Sequence, residues 1–267
     1  MEPNDLIYAL GLTLFAGLAT GIGSLIALVA RRTNKTLLAF SLGLSAGVMI
    51  YVSFVELFAE SQHALVELFG EHMGALYTVL AFFGGVAFIA LIDFVVPSAE
   101  NPHEIRGVED IEHPKNTKRL QRMGLLTSAA IAIHNFPEGI ATFTTAYENP
   151  SLGLAIAVAV AIHNIPEGIA VSVPIYYATG SRKKAFWYSL LSGLAEPLGG
   201  ILAYLILMPF MSEALMATLL AIVAGIMVYI SVDELLPAAR EYGREHISIL
   251  GFIIGMAIMA SSLILLI

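Results

Sequence analysis

Eight apolar stretches run through this chain, at roughly 5–30, 36–58, 73–96, 122–146, 151–178, 184–208, 213–237 and 247–267. Each is about 20 residues or more, the length that carries a helix across the hydrocarbon core of a bilayer. In lipid the backbone N–H and C=O groups must be satisfied within the segment, so stretches of this kind can only be helices or closed barrels, and strands would need far shorter runs. The expected fold is an all-α integral membrane protein with eight transmembrane helices. It forms a single transmembrane domain over residues 1–267, with one long connection at 97–121.

Composition agrees. Hydrophobic residues make up 58% of the 267 and charged residues only 13%, well outside the usage of soluble domains. The first stretch lacks a basic leader and an Ala-x-Ala-like end, so it is expected to be a retained helix and not a cleaved signal. With no cysteine, disulfides and thiolate ligands are excluded, leaving imidazole, carboxylate, amide and water for any metal. A net charge of −8 offers no basic surface to nucleic acid.

Basic residues favour short cytoplasmic loops. All 13 Lys and Arg fall in alternate connections: Arg31, Arg32 and Lys35; Arg106, Lys115, Lys118, Arg119 and Arg122; Arg182, Lys183 and Lys184; Arg240 and Arg244. A wrong helix count would scatter them over both sides. An even number of helices then puts both termini outside the cytoplasm and the 97–121 connection inside. That connection is charged, Pro-rich and poor in apolar residues, the composition of a linker. His103 and His113 within it read as solvated.

Internal repeats follow. Ala46–Leu57 aligns without gaps to Ala224–Leu235, and Gly17–Gly23 lies over Gly193–Gly199. In the expected topology stretches 2 and 7 run in opposite directions. Related segments of opposite direction imply a pseudo-two-fold axis in the membrane plane, the inverted-repeat arrangement of many secondary transporters.

The most specific repeat is a hexapeptide. His134-Asn135-Phe136-Pro137-Glu138-Gly139 recurs as His163-Asn164-Ile165-Pro166-Glu167-Gly168, each copy midway along its stretch. Residues four apart share a helical face, so His134 projects with Glu138 and His163 with Glu167. Asn135 and Asn164 flank the same carboxylates from three residues away. Two such helices packed antiparallel converge imidazoles, carboxylates and amides, a mixed N/O set suited to Zn²⁺, Fe²⁺, Mn²⁺ or Co²⁺. Pro137 and Pro166 deprive the carbonyls of Ile133 and Ile162 of their helical partners and are expected to kink both helices.

Glu196 sits near the middle of stretch 6. A charge at the bilayer centre costs about 2.5–3.5 kcal/mol, so three buried glutamates carry roughly 8–10 kcal/mol. A divalent ion in transit offsets that cost, whereas interhelical hydrogen bonding explains one polar residue but not a duplicated set. Glu56 and Glu60 are expected to end helix 2 at the outer mouth, and Asp233 and Glu234 to end helix 7 at the inner one, where acidic groups attract cations. Asp93, His63, Glu67, Glu71 and His72 read as ordinary solvated or interfacial groups.

The two hexapeptides, together with Ser192-Gly-Leu-Ala-Glu-Pro197 and Val232-Asp-Glu-Leu-Leu-Pro237, resemble the ZIP family of divalent metal transporters in its bacterial branch. The resemblance covers essentially all eight helices. It implies a 3+2+3 helix arrangement, import of zinc and of iron(II), manganese, cobalt and cadmium into the cytoplasm, and a place in the cell (inner) membrane. It also implies a binuclear site: His134, Glu138, His163 and Glu167 around one ion, and Asn135, Asn164 and Glu196 around a second, with Glu138 and Glu167 bridging.

The transported ion is then cargo, and no separate cofactor is expected. A membrane metalloenzyme is the main rival, but the chain has no His-Glu-x-x-His, and its spanning stretches carry no Glu-x-x-His pair of the di-iron kind. A channel-like bundle would leave uptake unsaturable. Gly-rich faces on stretches 1, 3 and 8 allow packing against a second copy as a homodimer.

Overall fold

The computed structural model describes residues 3–29, 35–95, 117–210, 212–241 and 245–266, and every regular element among them is helical. In chain order these are α1 (Pro3–Val29), α2 (Lys35–Val52), a π-helical turn (Ser53–Leu57), α3 (Phe58–Phe69) and α4 (Glu71–Val95). After them come α5 (Thr117–Glu148), α6 (Pro150–Thr179), α7 (Arg182–Gly193) and α8 (Ala195–Leu202). A second π-helical turn (Ala203–Leu207) and a 3₁₀ turn (Met208–Phe210) lead to α9 (Glu213–Ile230). A third π-helical turn (Ser231–Leu235), α10 (Leu236–Glu241) and α11 (Glu245–Leu266) complete the chain. The residues between 96 and 116, which include His103 and His113, lie outside the described set.

Seven helical segments among the described residues are long and apolar enough to cross a membrane: Asp5–Val29, Ala39–Phe69, Glu71–Phe94, Pro150–Ile169, Arg182–Ile206, Glu213–Arg240 and His246–Ile264. The predicted stretch 122–146 falls within α5, a helix of 32 residues. Leu80, Phe83, Leu91 and Phe94 of α4 are all more than half exposed. An apolar face of that size is the lipid-facing surface of a multi-pass membrane protein.

Local signals set most helix ends. α3 stops at Gly70, whose φ of 82° leaves the helical region. α6 starts on Pro150 behind Asn149, whose side chain accepts a hydrogen bond from the Leu152 N–H at 3.1 Å, and it ends at Gly180 in the left-handed conformation. Ser181 and Ser212 cap α7 and α9 in the same way.

Three features differ from the expected helices. Helix 2 does not end near residue 58; it passes through Glu56 and Glu60 to Phe69, burying Ser61 and Leu65 on the way, because nothing breaks it before Gly70. Helix 7 likewise continues past Asp233 and Glu234 to Glu241. Both acidic pairs therefore lie inside or next to π-helical turns, and not at helix ends. Stretch 6 is split, with α7 ending at Gly193 and α8 starting at Ala195. Pro197 has no N–H for the Gly193 carbonyl and clashes with it, so the break falls where its ring demands. Through Pro137 and Pro166, by contrast, the helical assignment of α5 and α6 is unbroken.

α1 packs on α6, α2 on α11, α4 on α9, and α5 on both α6 and α8. Between helices surrounded by lipid the drive is close van der Waals contact, which small residues permit. A Cβ on Gly43 or Gly47 of α2 would overlap the Ser248 or Phe252 carbonyl of α11, and one on Gly85 of α4 would overlap the Ile222 carbonyl of α9. The main apolar core, which includes Leu42, Met49, Ile226, Ile230 and Met259, fills the space beside these contacts.

Candidate functional site

A single residue, Asn149, separates α5 from α6, so the two helices must fold back as an antiparallel hairpin. That places the hexapeptides side by side. Asn135, Glu138, His163, Asn164, Glu167 and Glu196 are all at most 3% exposed, and none is in water. His134 is carried on α5, while its side chain lies outside the described set.

His163 is the hub. Its Nε2 lies 2.9 Å from Glu167 Oε1, one turn along the same helix, and 3.7 Å from Glu138 Oε1 on the neighbouring helix. The shared face expected from the four-residue spacing exists, and it joins both copies of the motif. On the other side of the ring, Nδ1 meets the hydroxyl of Ser45 on α2.

The asparagines tie the hairpin to its neighbours. Asn164 Nδ2 donates to the Ala16 carbonyl of α1 at 2.8 Å and also to Glu196 Oε1. Its Oδ1 is buried with no hydrogen-bond partner. The Asn135 amide, turned so that both ends are satisfied, donates to Glu167 Oε2 at 3.1 Å and to the Ile131 carbonyl at 3.3 Å.

Glu196 reaches this group because the break before Pro197 starts α8 beside it, in the first turn of the helix where a carboxylate is favoured. The hexapeptide glycines make the approach possible. A Cβ on Gly139 would overlap the Glu196 carbonyl, and one on Gly168 would overlap the Thr20 carbonyl of α1.

Chemically the cluster offers one described imidazole, three carboxylates and two amides in a dry interior. Among the described residues no three His, Asp or Glu side chains are arranged so that they could hold a metal ion together. They close on one another, with the imidazole hydrogen-bonded to its carboxylate. An orphaned amide oxygen beside a carboxylate suits a cation, since a buried acceptor without a donor costs about 1–3 kcal/mol.

Glu56 and Glu60 belong to a separate cavity of about 410 Å³ at one end of the bundle, where Glu148 and Glu213 join them. Sequence reading missed the last two, which flank helix ends far apart in the chain. Glu148 is accessible at the mouth, yet the surrounding protein strips enough water to hold its carboxyl above the ordinary range, and the charges of Glu213 and Glu60 add to the effect. Asp233 and Glu234 lie about 30 Å further along the helix that Glu213 begins, toward the opposite end. They are not part of the cavity. Asp93 accepts a hydrogen bond from the Tyr229 hydroxyl at 3.4 Å, tying α4 to α9. His63 and Glu67, expected in an outer loop, lie on α3, and with Glu71 and His72 on α4 they are exposed.

Ser45 was also missed. Its signal was a hydroxyl in the middle of an apolar stretch, at the position where the aligned repeat has Val223.

Comparison with known proteins gives a consistent answer. The family model described as ZIP Zinc transporter matches residues 97–263. A protein of Oceanobacillus iheyensis named Zinc transporter ZupT is 61% identical, with 98% of this chain and 99% of the relative aligned. The Streptococcus mutans protein of that name is 59% identical over 99% of each chain. One from Nitratidesulfovibrio vulgaris is 56% identical, again over 99% of each.

Proposed function

This chain belongs to the ZIP zinc transporter family, a family of transporters and not of enzymes, and from that premise we propose that it imports Zn²⁺ into the cytoplasm through the buried His/Asn/Glu cluster. The observation that carries the proposal is His163 Nε2 within 3.7 Å of carboxylates from both hexapeptides. Desolvated carboxylates on two helices that converge on one imidazole gain most from a divalent ion bound among them.

The full site is binuclear. His134, Glu138, His163 and Glu167 hold one ion; Asn135, Asn164 and Glu196 hold the second, with Glu138 and Glu167 bridging. The orphaned Asn164 oxygen beside Glu196 supports the second position. Fe²⁺, Mn²⁺, Co²⁺ and Cd²⁺ are further cargo, because the mixed N/O donors do not select one borderline ion sharply. Glu56 and Glu60 gather cations at the outer mouth, and Asp233 and Glu234 at the inner one.

Eight helices in a 3+2+3 inverted repeat, within one domain, frame this route in the cell (inner) membrane, with both termini outside the cytoplasm. Three relationships support the repeat. The π-helical turns Ser53–Leu57 and Ser231–Leu235 fall at aligned positions. Gly23 meets the Ile165 carbonyl as Gly199 meets that of Phe136. Gly17 and Gly193, aligned with each other, each face the other's carbonyl, as residues straddling a two-fold axis do. Rocking of one half against the other then opens the cluster alternately to each side. Most glycines of helices 1, 3 and 8 pack inside the chain, Gly23 on Ile165, Gly85 on Ile222, Gly251 on Phe40 and Gly255 on Leu44, so the homodimer expected through Gly-rich faces would have only Gly11 and Gly84 in open space.

Uptake of isotopically labelled zinc by proteoliposomes tests the proposal. Glu138→Ala and Glu167→Ala abolish saturable uptake; unchanged uptake in either would overturn the site assignment.

A further inference from the structure

We propose that Ser45 is a positioning residue for zinc, fixing through His163 Nδ1 which ring nitrogen faces the ion; this rests on the site reading above. Ser45 is fully buried on α2. Some buried hydroxyls turn back on their own helix, as Thr13 does to Ala9, Thr144 to Ile140 and Ser231 to Met227, and others cross to a backbone carbonyl, as Ser189 does to Gly168 and Ser248 to Ala239. That of Ser45 crosses to α6 and meets a side chain instead, His163 Nδ1. The aligned repeat has Val223 at this position, so the hydroxyl is not part of the duplicated scaffold. It is an addition beside one histidine.

Its value lies in being both donor and acceptor. With the hydroxyl donating to Nδ1, the neutral ring carries its proton on Nε2 and gives it to Glu167 Oε1, 2.9 Å away. An ion bound at Nε2 needs that lone pair, so the single ring proton must then reside on Nδ1. The same serine oxygen accepts it there after a rotation about one bond. The ring gains and loses no net proton; only the nitrogen that bears it changes. Alanine can serve neither state, and a ring that loses this hydroxyl is held less firmly toward the carboxylates. Groups that orient a ligating histidine through its other nitrogen are worth about 10–100-fold in metal affinity.

The test compares full-length Ser45→Ala, His163→Gln and the double variant in proteoliposomes, by labelled-zinc uptake and by equilibrium zinc binding to the purified protein. Ser45→Ala, which only removes one oxygen, is expected to raise KM about 10-fold with Vmax and melting temperature retained. In the His163→Gln background it is expected to change nothing further, because its route of action is gone. An unchanged KM in Ser45→Ala while His163→Gln impairs uptake would overturn this inference and leave the site intact. So would a loss that adds fully to that of His163→Gln. If His163→Gln itself transported normally, the site reading would fall, and this inference with it.

Discussion

Asn164 and Glu196, 32 positions apart and both fully buried, are joined side chain to side chain, and this bond links the second hexapeptide to the helix that begins just before Pro197. If these residues serve a second ion, Glu196→Gln keeps the shape and removes the charge. Elemental analysis of purified, zinc-saturated protein should then fall from two ions per chain to one. Two ions retained in the variant would remove Glu196 from the ligand set.

Pro197 gives a prediction in which stability and activity part. Alanine is about 3 kcal/mol more favourable than proline inside a helix, so Pro197→Ala should join α7 to α8 and raise the melting temperature. Straightening the chain there also swings Glu196 away from Asn164. Zinc uptake should drop in the more stable protein, and a variant with normal uptake would show that the break is dispensable.

Adjacent glycines on α4 make a matched pair. A Cβ on Gly84 meets nothing within 4 Å, while one on Gly85 overlaps the Ile222 carbonyl of α9. Gly84→Ala should be neutral or stabilising by up to about 1 kcal/mol. Gly85→Ala should cost about 1–3 kcal/mol through overpacking. Gly139→Ala should resemble Gly85→Ala and also lower uptake, since it pushes α8 from α5. Thermal melts in detergent, read beside uptake rates, separate the three.

The acidic cavity has a signed pH dependence. The Glu148 carboxyl titrates above its ordinary range, so its ionised form is disfavoured in the folded protein. The stability it confers is fully present below the ordinary glutamate pKa and is lost as pH rises through the raised value. Glu148→Gln should therefore melt higher at neutral pH and lose part of the parent's stability gain on mild acidification. A melting curve whose pH dependence matched the parent's would contradict the raised titration.

Spacing alone revealed a good part of the site. His163 and Glu167 meet because four residues make one helical turn, and no tertiary information is needed to know it. Asn149 and Pro150 likewise announce the hairpin that brings Glu138 alongside. The continuation of helix 2 through Glu60 was hidden, because charged residues read as an exit from lipid whereas only Gly70 actually breaks the backbone. The division of stretch 6 was written in Pro197, but a hydropathy window averages over it. Ser45, Glu148 and Glu213 carry no local mark of what they face.

Periodicity and residue chemistry are local properties, and they determined that this chain forms apolar helices with imidazole and carboxylate on a common stripe. Which distant groups complete that stripe depended on how closely the helices approach. That distance is governed by glycine contacts such as Gly139 with Glu196 and Gly168 with Thr20. Each joins residues separated by dozens or more positions, so steric fit between whole helices, and not any stretch of sequence, decided where Glu196 and Ser45 came to rest.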